Sequence, residues 1–270
     1  MQQIDIAVDA LAVTLEYEWI GSSMTGAQAP LIVFLHEGLG AAGQWGDWPH
    51  RLCTSLGWRG LLFSRYGYGA SQARPAAEDG WPLDYMEREA RENLPALLHA
   101  LGIDAARDQL VLVGQSDGAT IALLYAAAFP HSPRAVVVLA PHVFTESVAR
   151  DRIGRLRTAH GAPARLADHL AALHEDPGGV FQGWSGRWVS PAFADWNVGS
   201  VIESIACPLL VIQGRQDQFG TMEQLDEIKR RVPHAELLVV ENCRHVPHEE
   251  HADAVLHAVT DFLTAAAPQP

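Results

Sequence analysis

Short apolar runs alternate with helical stretches along most of the chain, and this alternation restricts the possible folds more than any other feature. The runs have four or five residues each, mostly aliphatic, at positions 31–35, 60–63, 110–113, 135–139, 209–212 and 237–240. Such runs are typical of strands that are buried on both faces, as in a parallel sheet. Strands that alternate with helices predict an α/β fold with right-handed crossover connections.

The N-terminal residues follow a different pattern, in which apolar and polar residues alternate. The apolar positions are Ile4, Ile6, Val8, Leu11, Val13, Leu15 and Tyr17. A period of two predicts an antiparallel hairpin with one solvated face.

Four helical stretches are predicted between the runs, at residues 84–101, 119–129, 221–232 and 249–263. In the first of them apolar residues keep one stripe, which is typical of a helix packed on a core. Pro95 lies inside this stretch and is predicted to kink or interrupt it.

Residues 141–201 break the alternation, because they contain helical pieces but no clear strand. The segment is rich in aromatic residues, with Phe181, Trp184, Trp188, Phe193 and Trp196. We predict that it is a helical cap inserted into a core formed by residues 1–140 and 202–270. Two ordinary crossover helices with long loops are the alternative.

Charge and cysteine content narrow the class of protein. The 270 residues have a formal net charge of −13, and no Lys/Arg cluster is evident, which argues against nucleic acid or an anionic membrane as partner. No apolar run is long enough to span a membrane, and the N-terminus does not resemble a signal peptide. Three cysteines without a C-x-x-C spacing predict buried, inert thiols in a reducing cytoplasm.

Residues 114–118 read Gly-Gln-Ser-Asp-Gly and match the motif G-x-S-x-G. They lie between an apolar run and a predicted helix, which is the strand–turn–helix context that the motif requires. Glycines on both sides of Ser116 avoid crowding in a strained turn, and the helix N-terminus stabilises negative charge that develops in front of it. We predict that Ser116 is a nucleophile. A plain glycine turn that opens a helix is the alternative.

A serine hydroxyl needs a general base to attack at neutral pH, and with this motif the triad follows the order Ser, Asp or Glu, His. Asp217 follows the run at 209–212, and His245 follows the run at 237–240. Both therefore lie at carboxyl ends of strands, the edge at which Ser116 is predicted. We predict that His245 is the general base and that Asp217 orients it.

Other residues compete for the same roles. His248 and His142 are alternative bases, although we expect His248 to begin the last helix as a polar surface group and His142 to line a pocket below the cap. For Asp217 the alternative is a role as a loop carboxylate or a helix cap. Two other acidic residues, Glu223 and Asp226, lie further along the predicted helix.

Acyl transfer also needs N–H donors that meet the negative charge on the carbonyl oxygen. One donor is predicted to be the backbone N–H of Asp117, directly after the nucleophile. The other is expected from the glycine-rich loop at residues 35–40. This loop contains neither a phosphate-binding G-K-[ST] nor a G-x-G-x-x-G motif, and His36 has no companions at metal-ligand spacing, so no metal is predicted.

Together these features resemble the α/β-hydrolase superfamily over nearly the whole chain. The marks are His36-Glu37-Gly38-Leu39-Gly40, the segment 65–71 (Arg-Tyr-Gly-Tyr-Gly-Ala-Ser), the motif at 114–118, Asp217 after Gly214, and His245 with the residues that follow it. The resemblance implies a mostly parallel sheet of about eight strands with helices on both faces and a helical cap. It also implies that Gly38 and Asp117 supply the two oxyanion donors and that no cofactor is used.

The chain departs from the family pattern at two positions beside the predicted site. Glu37 stands where many relatives have glycine, and its charge would oppose a negative intermediate, so we expect it to point away or to be paired. Asp117 stands where many relatives have methionine or glycine. Serine at position 116 argues against the dehalogenase and epoxide-hydrolase branches, which have aspartate there.

The predicted activity is that of a serine hydrolase that cleaves a small or medium ester, lactone or thioester with an apolar part. Carbon–carbon bond hydrolysis of a ring-cleavage product is an alternative, and a non-catalytic small-molecule receptor is another. The candidate substrate contacts are His36, Gln115, His142, Trp184 and Trp188. We expect a monomer or a homodimer.

Overall fold

The computed structural model describes residues 1–8, 11–21, 29–75, 80–157 and 162–266. Within them one eight-stranded sheet has the order β1-β2-β4-β3-β5-β6-β7-β8. The strands are β1 Gln2–Val8, β2 Leu11–Ile20, β3 Leu31–Leu35, β4 Arg59–Phe63, β5 Leu110–Gln115, β6 Ala135–Leu139, β7 Leu209–Gly214 and β8 Glu236–Val240. The first two form the predicted antiparallel hairpin, and β2 pairs antiparallel with β4. All further pairings are parallel, so the predicted mostly parallel sheet is confirmed.

Helices cover both faces of this sheet. They are α1 Trp48–Leu56, α2 Tyr85–Arg88, α3 Leu94–Ala100, α4 Asp117–Ala128, α5 Ser147–Leu156, α6 Ala164–Leu173, α7 Pro177–Val189, α8 Glu223–Arg231, α9 Pro247–Glu250 and α10 Ala252–Ala265. Alternate residues of β3 divide between the two layers: Leu31, Val33 and Leu35 belong to one apolar cluster with α3 and α4, and Ile32 and Phe34 to another with α1 and α10. The sheet is therefore buried on both sides, as the apolar runs predict.

The predicted helix at 84–101 is divided into three parts. One wide turn of π-helix at Glu89–Asn93 separates α2 from α3, and Pro95 lies in the first turn of α3. A proline there removes no hydrogen bond, because the first N–H groups of a helix have no partner within it. The interruption predicted at Pro95 thus occurs just before it. Helix α1 was not predicted.

The chain between β6 and β7 contains α5, α6 and α7 and two 3-10 turns at Pro191–Phe193 and Val201–Ser204. In the part that the structure describes, its one extended pairing is an isolated bridge between Phe144 and Asn197. The predicted cap at 141–201 includes residues 158–161, which lie outside the described residues.

Among the described residues no helix is both long and apolar enough to cross a membrane.

Candidate active site

Ser116 occupies the sharp turn between β5 and α4. Its backbone angles are φ 53° and ψ −118°, a conformation that costs about 1–3 kcal/mol for a residue with a side chain. A Cβ on Gly114 would lie 2.3 Å from the carbonyl oxygen of Gly118, and one on Gly118 would lie 2.0 Å from that of Leu35. Both positions therefore require glycine, and the turn holds Ser116 at the carboxyl edge of the sheet.

Three side chains from separate loops form a continuous hydrogen-bonded chain at this edge. His245 Nε2 is 2.9 Å from Ser116 Oγ, and His245 Nδ1 is 2.8 and 2.9 Å from the two carboxylate oxygens of Asp217. The carboxylate also accepts hydrogen bonds from the N–H groups of Phe219 at 2.8 Å and Gly220 at 3.3 Å. The structure thus brings together the three residues that the sequence places after β5, β7 and β8.

The protonation of this chain follows from the contact between His245 and Asp217. Burial by itself lowers the pKa of His245, but the charge and the hydrogen bond of Asp217 outweigh it, so that the pKa is raised above its ordinary 6.5. Burial by itself raises the pKa of Asp217, but His245 and the backbone N–H of Phe219 bring it below its ordinary value. An ionised carboxylate therefore makes the imidazole a stronger base.

The alternative bases lie elsewhere. His248 is buried between the rings of Trp45 and Trp48, 4.7 and 5.8 Å away between centroids, and burial lowers its pKa to about 4. The prediction of a surface position for His248 is therefore wrong, because α1, which carries Trp48, covers it.

His142 lines the cavity next to Ser116, as expected, and its ring centroid is 5.8 Å from that of His245. Burial lowers its pKa to about 3, so the ring is neutral. Its Nδ1 has no hydrogen-bond partner among the described residues. A buried nitrogen of this kind is available to a bound molecule.

The alternative acids, Glu223 and Asp226, are exposed on α8. Within the described residues neither is hydrogen-bonded to His245, whereas both carboxylate oxygens of Asp217 are.

The two predicted oxyanion donors lie on neighbouring loops. Asp117 is the first residue of α4, and Gly38 follows β3 in a turn. Within the described part of the chain, neither backbone N–H donates a hydrogen bond. The close contact of Gly118 with the carbonyl groups of Leu35 and His36 holds the two loops together. The N–H of Leu39, by contrast, is occupied by Glu37 Oε2 at 3.0 Å.

The side chain of Asp117 is buried below this turn. Its Oδ2 accepts a hydrogen bond of 2.5 Å from the hydroxyl of Tyr85, which in turn accepts one from Trp188 Nε1 at 3.2 Å. Burial raises the pKa of Asp117 to about 6, against the opposing effect of the Arg65 guanidinium. A second carboxylate therefore lies one residue from the nucleophile and titrates near neutrality.

Glu37 does not point away from the site, contrary to one of the two outcomes expected for it. It lines the cavity, and its carboxylate is paired through hydrogen bonds from the Leu39 N–H and, at 3.1 Å, from Gln44 Nε2. These bonds hold the loop that carries Gly38.

His36, predicted as a substrate contact, does not line this cavity. The ring is buried behind the loop, where Nε2 accepts hydrogen bonds from the backbone N–H of Arg65 at 3.1 Å and from its Nε at 3.3 Å. Burial and the neighbouring guanidinium hold the pKa of His36 well below its usual range. The prediction is corrected accordingly: a neutral His36 supports the loop and does not face the substrate.

A cavity of about 260 Å³ opens on Ser116 and His245. The other predicted contacts, Gln115, Trp184 and Trp188, line it. Its wall is mainly apolar and further includes Leu39, Ala149, Ile153, Leu156, Leu166, Phe219 and Val246. Most of these residues come from α5, α6 and α7, so the chain between β6 and β7 forms the roof and the sheet edge forms the floor.

Sequence reasoning did not single out three residues that shape the site. Phe219 packs its ring 4.8 Å from that of His245, Tyr85 holds the carboxylate of Asp117, and Arg65 holds His36. Arg65 belongs to the segment 65–71, whose resemblance to the family implied no role for it. The available signal was an arginine directly after an apolar strand, since buried charges need specific partners.

An eight-stranded, mostly parallel sheet with a serine on the turn after its fifth strand defines the class of α/β hydrolases. The model of the alpha/beta hydrolase family matches residues 32–258, and the chain belongs to this family.

Among curated relatives, the chain is 25% identical over 277 aligned positions to 2-hydroxy-6-oxo-6-phenylhexa-2,4-dienoate hydrolase of Burkholderia cepacia. The alignment covers 87% of this chain and 88% of that relative.

Solved structures share the fold at lower identity. A thermophilic esterase from Thermogutta terrifontis has a TM-score of 0.71 and 19% identity, with 98% of this chain and 99% of that chain covered. The enol-lactonase from Burkholderia xenovorans LB400 has a TM-score of 0.72 and 20% identity, with 96% and 99% covered. These two likenesses establish the fold alone.

Proposed function

We propose that this α/β hydrolase is a serine hydrolase that cleaves small or medium carboxylic esters, lactones or thioesters with an apolar part. The observation that carries the proposal is the chain from Ser116 Oγ through His245 to Asp217, with hydrogen bonds of 2.9 and 2.8 Å. This arrangement activates a hydroxyl for attack on a carbonyl carbon.

The proposed reaction has two steps. Ser116 Oγ bonds to the carbonyl carbon as His245 Nε2 takes its proton, and the N–H groups of Gly38 and Asp117 stabilise the oxyanion. Collapse breaks the bond to the leaving group, which takes the proton from His245. Water then attacks the acyl-enzyme with His245 again as base, and the acid leaves as Ser116 regains its proton.

The cavity supports an uncharged substrate of limited size. Its volume of about 260 Å³ is small, and its lining contains no Lys or Arg side chain among the described residues, whereas Glu37 supplies a carboxylate. A buried substrate carboxylate would need a cationic partner, which this lining does not offer. We propose that the neutral His142 forms one hydrogen bond with the substrate, either as donor or as acceptor.

Carbon–carbon bond hydrolysis is the second candidate, favoured by the alignment with the Burkholderia cepacia relative. The substrate in that relative's name is a dienoate, which carries a carboxylate. The described lining contains no cationic side chain that could pair with such a carboxylate, and for this reason we rank this candidate behind ester cleavage.

A substrate panel tests the proposal. Neutral aryl esters, lactones and thioesters of increasing acyl length are compared with a 2-hydroxy-6-oxo-dienoate, using the wild type and Ser116→Ala. We expect Ser116-dependent release of acid from a short neutral ester and labelling of Ser116 by a fluorophosphonate. Unchanged ester turnover in Ser116→Ala would refute the mechanism. Selective cleavage of the dienoate would favour the second candidate, and tight binding without turnover would favour a receptor.

We also propose that the protein acts in the cytoplasm on small molecules, as a monomer or a homodimer. Three buried, unpaired thiols support a reducing compartment. Sedimentation velocity and cell fractionation test these two statements separately.

A further inference from the structure

The carbonyl oxygen of Glu37 accepts three hydrogen bonds. Arg65 Nη2 lies 2.8 Å from it, His36 Nδ1 2.8 Å and the N–H of Gly40 3.2 Å. This carbonyl belongs to the same peptide group as the N–H of Gly38, the proposed oxyanion donor. Because the peptide group is conjugated and planar, donors on its oxygen fix the direction of the N–H and increase its polarity.

Arg65 contacts this peptide group but lies outside the cavity proposed to hold the substrate. It follows β4, is 1% exposed, and does not line the cavity. Its guanidinium lies 4.5 Å from the ring centroid of Tyr68, whose hydroxyl donates to the carbonyl oxygen of Gly38 at 3.1 Å. The peptide groups on both sides of the Gly38 Cα are therefore held by one segment.

We propose that Arg65 is a positioning residue of the oxyanion hole: it orients and polarises the Glu37–Gly38 peptide group. The inference rests on the proposed serine hydrolase function. Since the oxyanion exists only after attack, Arg65 acts on the transition state and not on the binding of an uncharged ester.

The test compares Arg65→Met with Arg59→Met, a matched control at the opposite end of the same strand, where Arg59 pairs with Asp108. Three quantities are measured: kcat and KM for a neutral p-nitrophenyl ester, inhibition by phenylboronic acid, and the melting temperature. The boronate forms a tetrahedral anion on the serine and so reports the oxyanion hole. We expect Arg65→Met to lower kcat about 10- to 100-fold and to weaken boronate inhibition in parallel, with KM within about twofold.

Arg59→Met is expected to lower the melting temperature while kcat and boronate inhibition stay within about twofold of wild type, because its ion pair lies far from the site. If both variants lose kcat without a change in boronate inhibition, Arg65 has only a structural role and the inference is refuted. If Arg65→Met does not fold, Arg65→Lys is used instead, which keeps the positive charge but lacks the planar guanidinium that reaches the Glu37 carbonyl oxygen. We expect kcat and boronate inhibition to fall together by at least about threefold in this variant. Unchanged kcat and boronate inhibition would refute the inference.

The failure of this inference is distinguishable from a failure of the proposed function. Wild-type turnover that depends on Ser116, together with indifference to Arg65, refutes only the inference. Turnover that survives Ser116→Ala refutes the proposed function itself.

Discussion

At the scale of single residues, the proposed mechanism depends on the state of His245. The imidazole must be neutral to take the serine proton, so kcat/KM is expected to fall as the pH decreases through its pKa. The raised pKa places this acidic limb above pH 6.5. Asp217→Asn removes the charge that raises the pKa, so we expect the limb to move to lower pH and kcat to fall by roughly 10³–10⁴. The pH dependence of kcat/KM for a neutral ester measures both effects.

A control for this prediction comes from Asp226, an exposed acid on α8. Asp226→Asn should leave the acidic limb in place. A limb that stays where it is in Asp217→Asn would contradict the assignment of His245 and Asp217 as a pair.

The positions of the residues at the strand ends could be predicted because local sequence determines them. An apolar run specifies a buried strand, and the residue that follows it lies at the sheet edge, which places Ser116, Asp217 and His245 together. The direction of a side chain within a loop depends on contacts from distant segments. His36 turns towards Arg65, 29 positions along the chain, and nothing in the loop itself indicates that choice.

At the scale of elements, the inserted helices determine the shape of the cavity. Trp184 on α7 lies against the Gly38 loop, where a Cβ on Gly38 would be 2.1 Å from Trp184 Nε1. Trp184→Phe enlarges the cavity, so the preference for longer over shorter acyl chains should rise by about threefold to tenfold. The ratio of kcat/KM for hexanoate and acetate esters measures the change.

Trp196→Phe is the matched control, since Trp196 stacks on Phe193 and does not line the cavity. It loses a hydrogen bond to Glu87, so its melting temperature should fall while the chain-length ratio stays constant. An equal shift of the ratio in both variants would show that the roof is loosely packed.

Elements were predicted best where one periodicity persists. The parallel strands and the hairpin have clear patterns, whereas α1 has a short, mixed sequence that begins with Trp48 and Pro49. Missing α1 also led to the wrong position for His248, because the environment of a histidine depends on which helix covers it. The break in the helix at 84–101 was predicted from Pro95, but its form, a π-helical turn at Glu89–Asn93, was not.

At the scale of the whole molecule, the reactivity of three buried thiols measures how far the protein is unfolded. Cys53 on α1, Cys207 before β7 and Cys243 after β8 are all buried, and burial raises their pKa values to about 12, 11 and 11. The thiolate is the reactive form, so the native protein should react with an aromatic disulfide reagent far more slowly than a free thiol does. Three equivalents are expected to react in denaturant.

The midpoint of thiol exposure should coincide with that of unfolding followed by circular dichroism, because the cysteines lie in separate parts of one core. Fast reaction of a single cysteine in the native state would indicate local opening, and mass spectrometry would identify the residue. Cys243, two residues before His245, is the most informative of the three.

The segment between β6 and β7 and the rest of the chain contribute different parts of the site. Ser116, Asp217 and His245 all lie outside residues 141–201, on turns anchored by the sheet, whereas most of the apolar wall comes from inside that segment. Bond-breaking machinery and molecular selectivity can therefore diverge independently. Grafting a foreign stretch of helices at this junction is a route to new preferences that leaves the reacting atoms where they are.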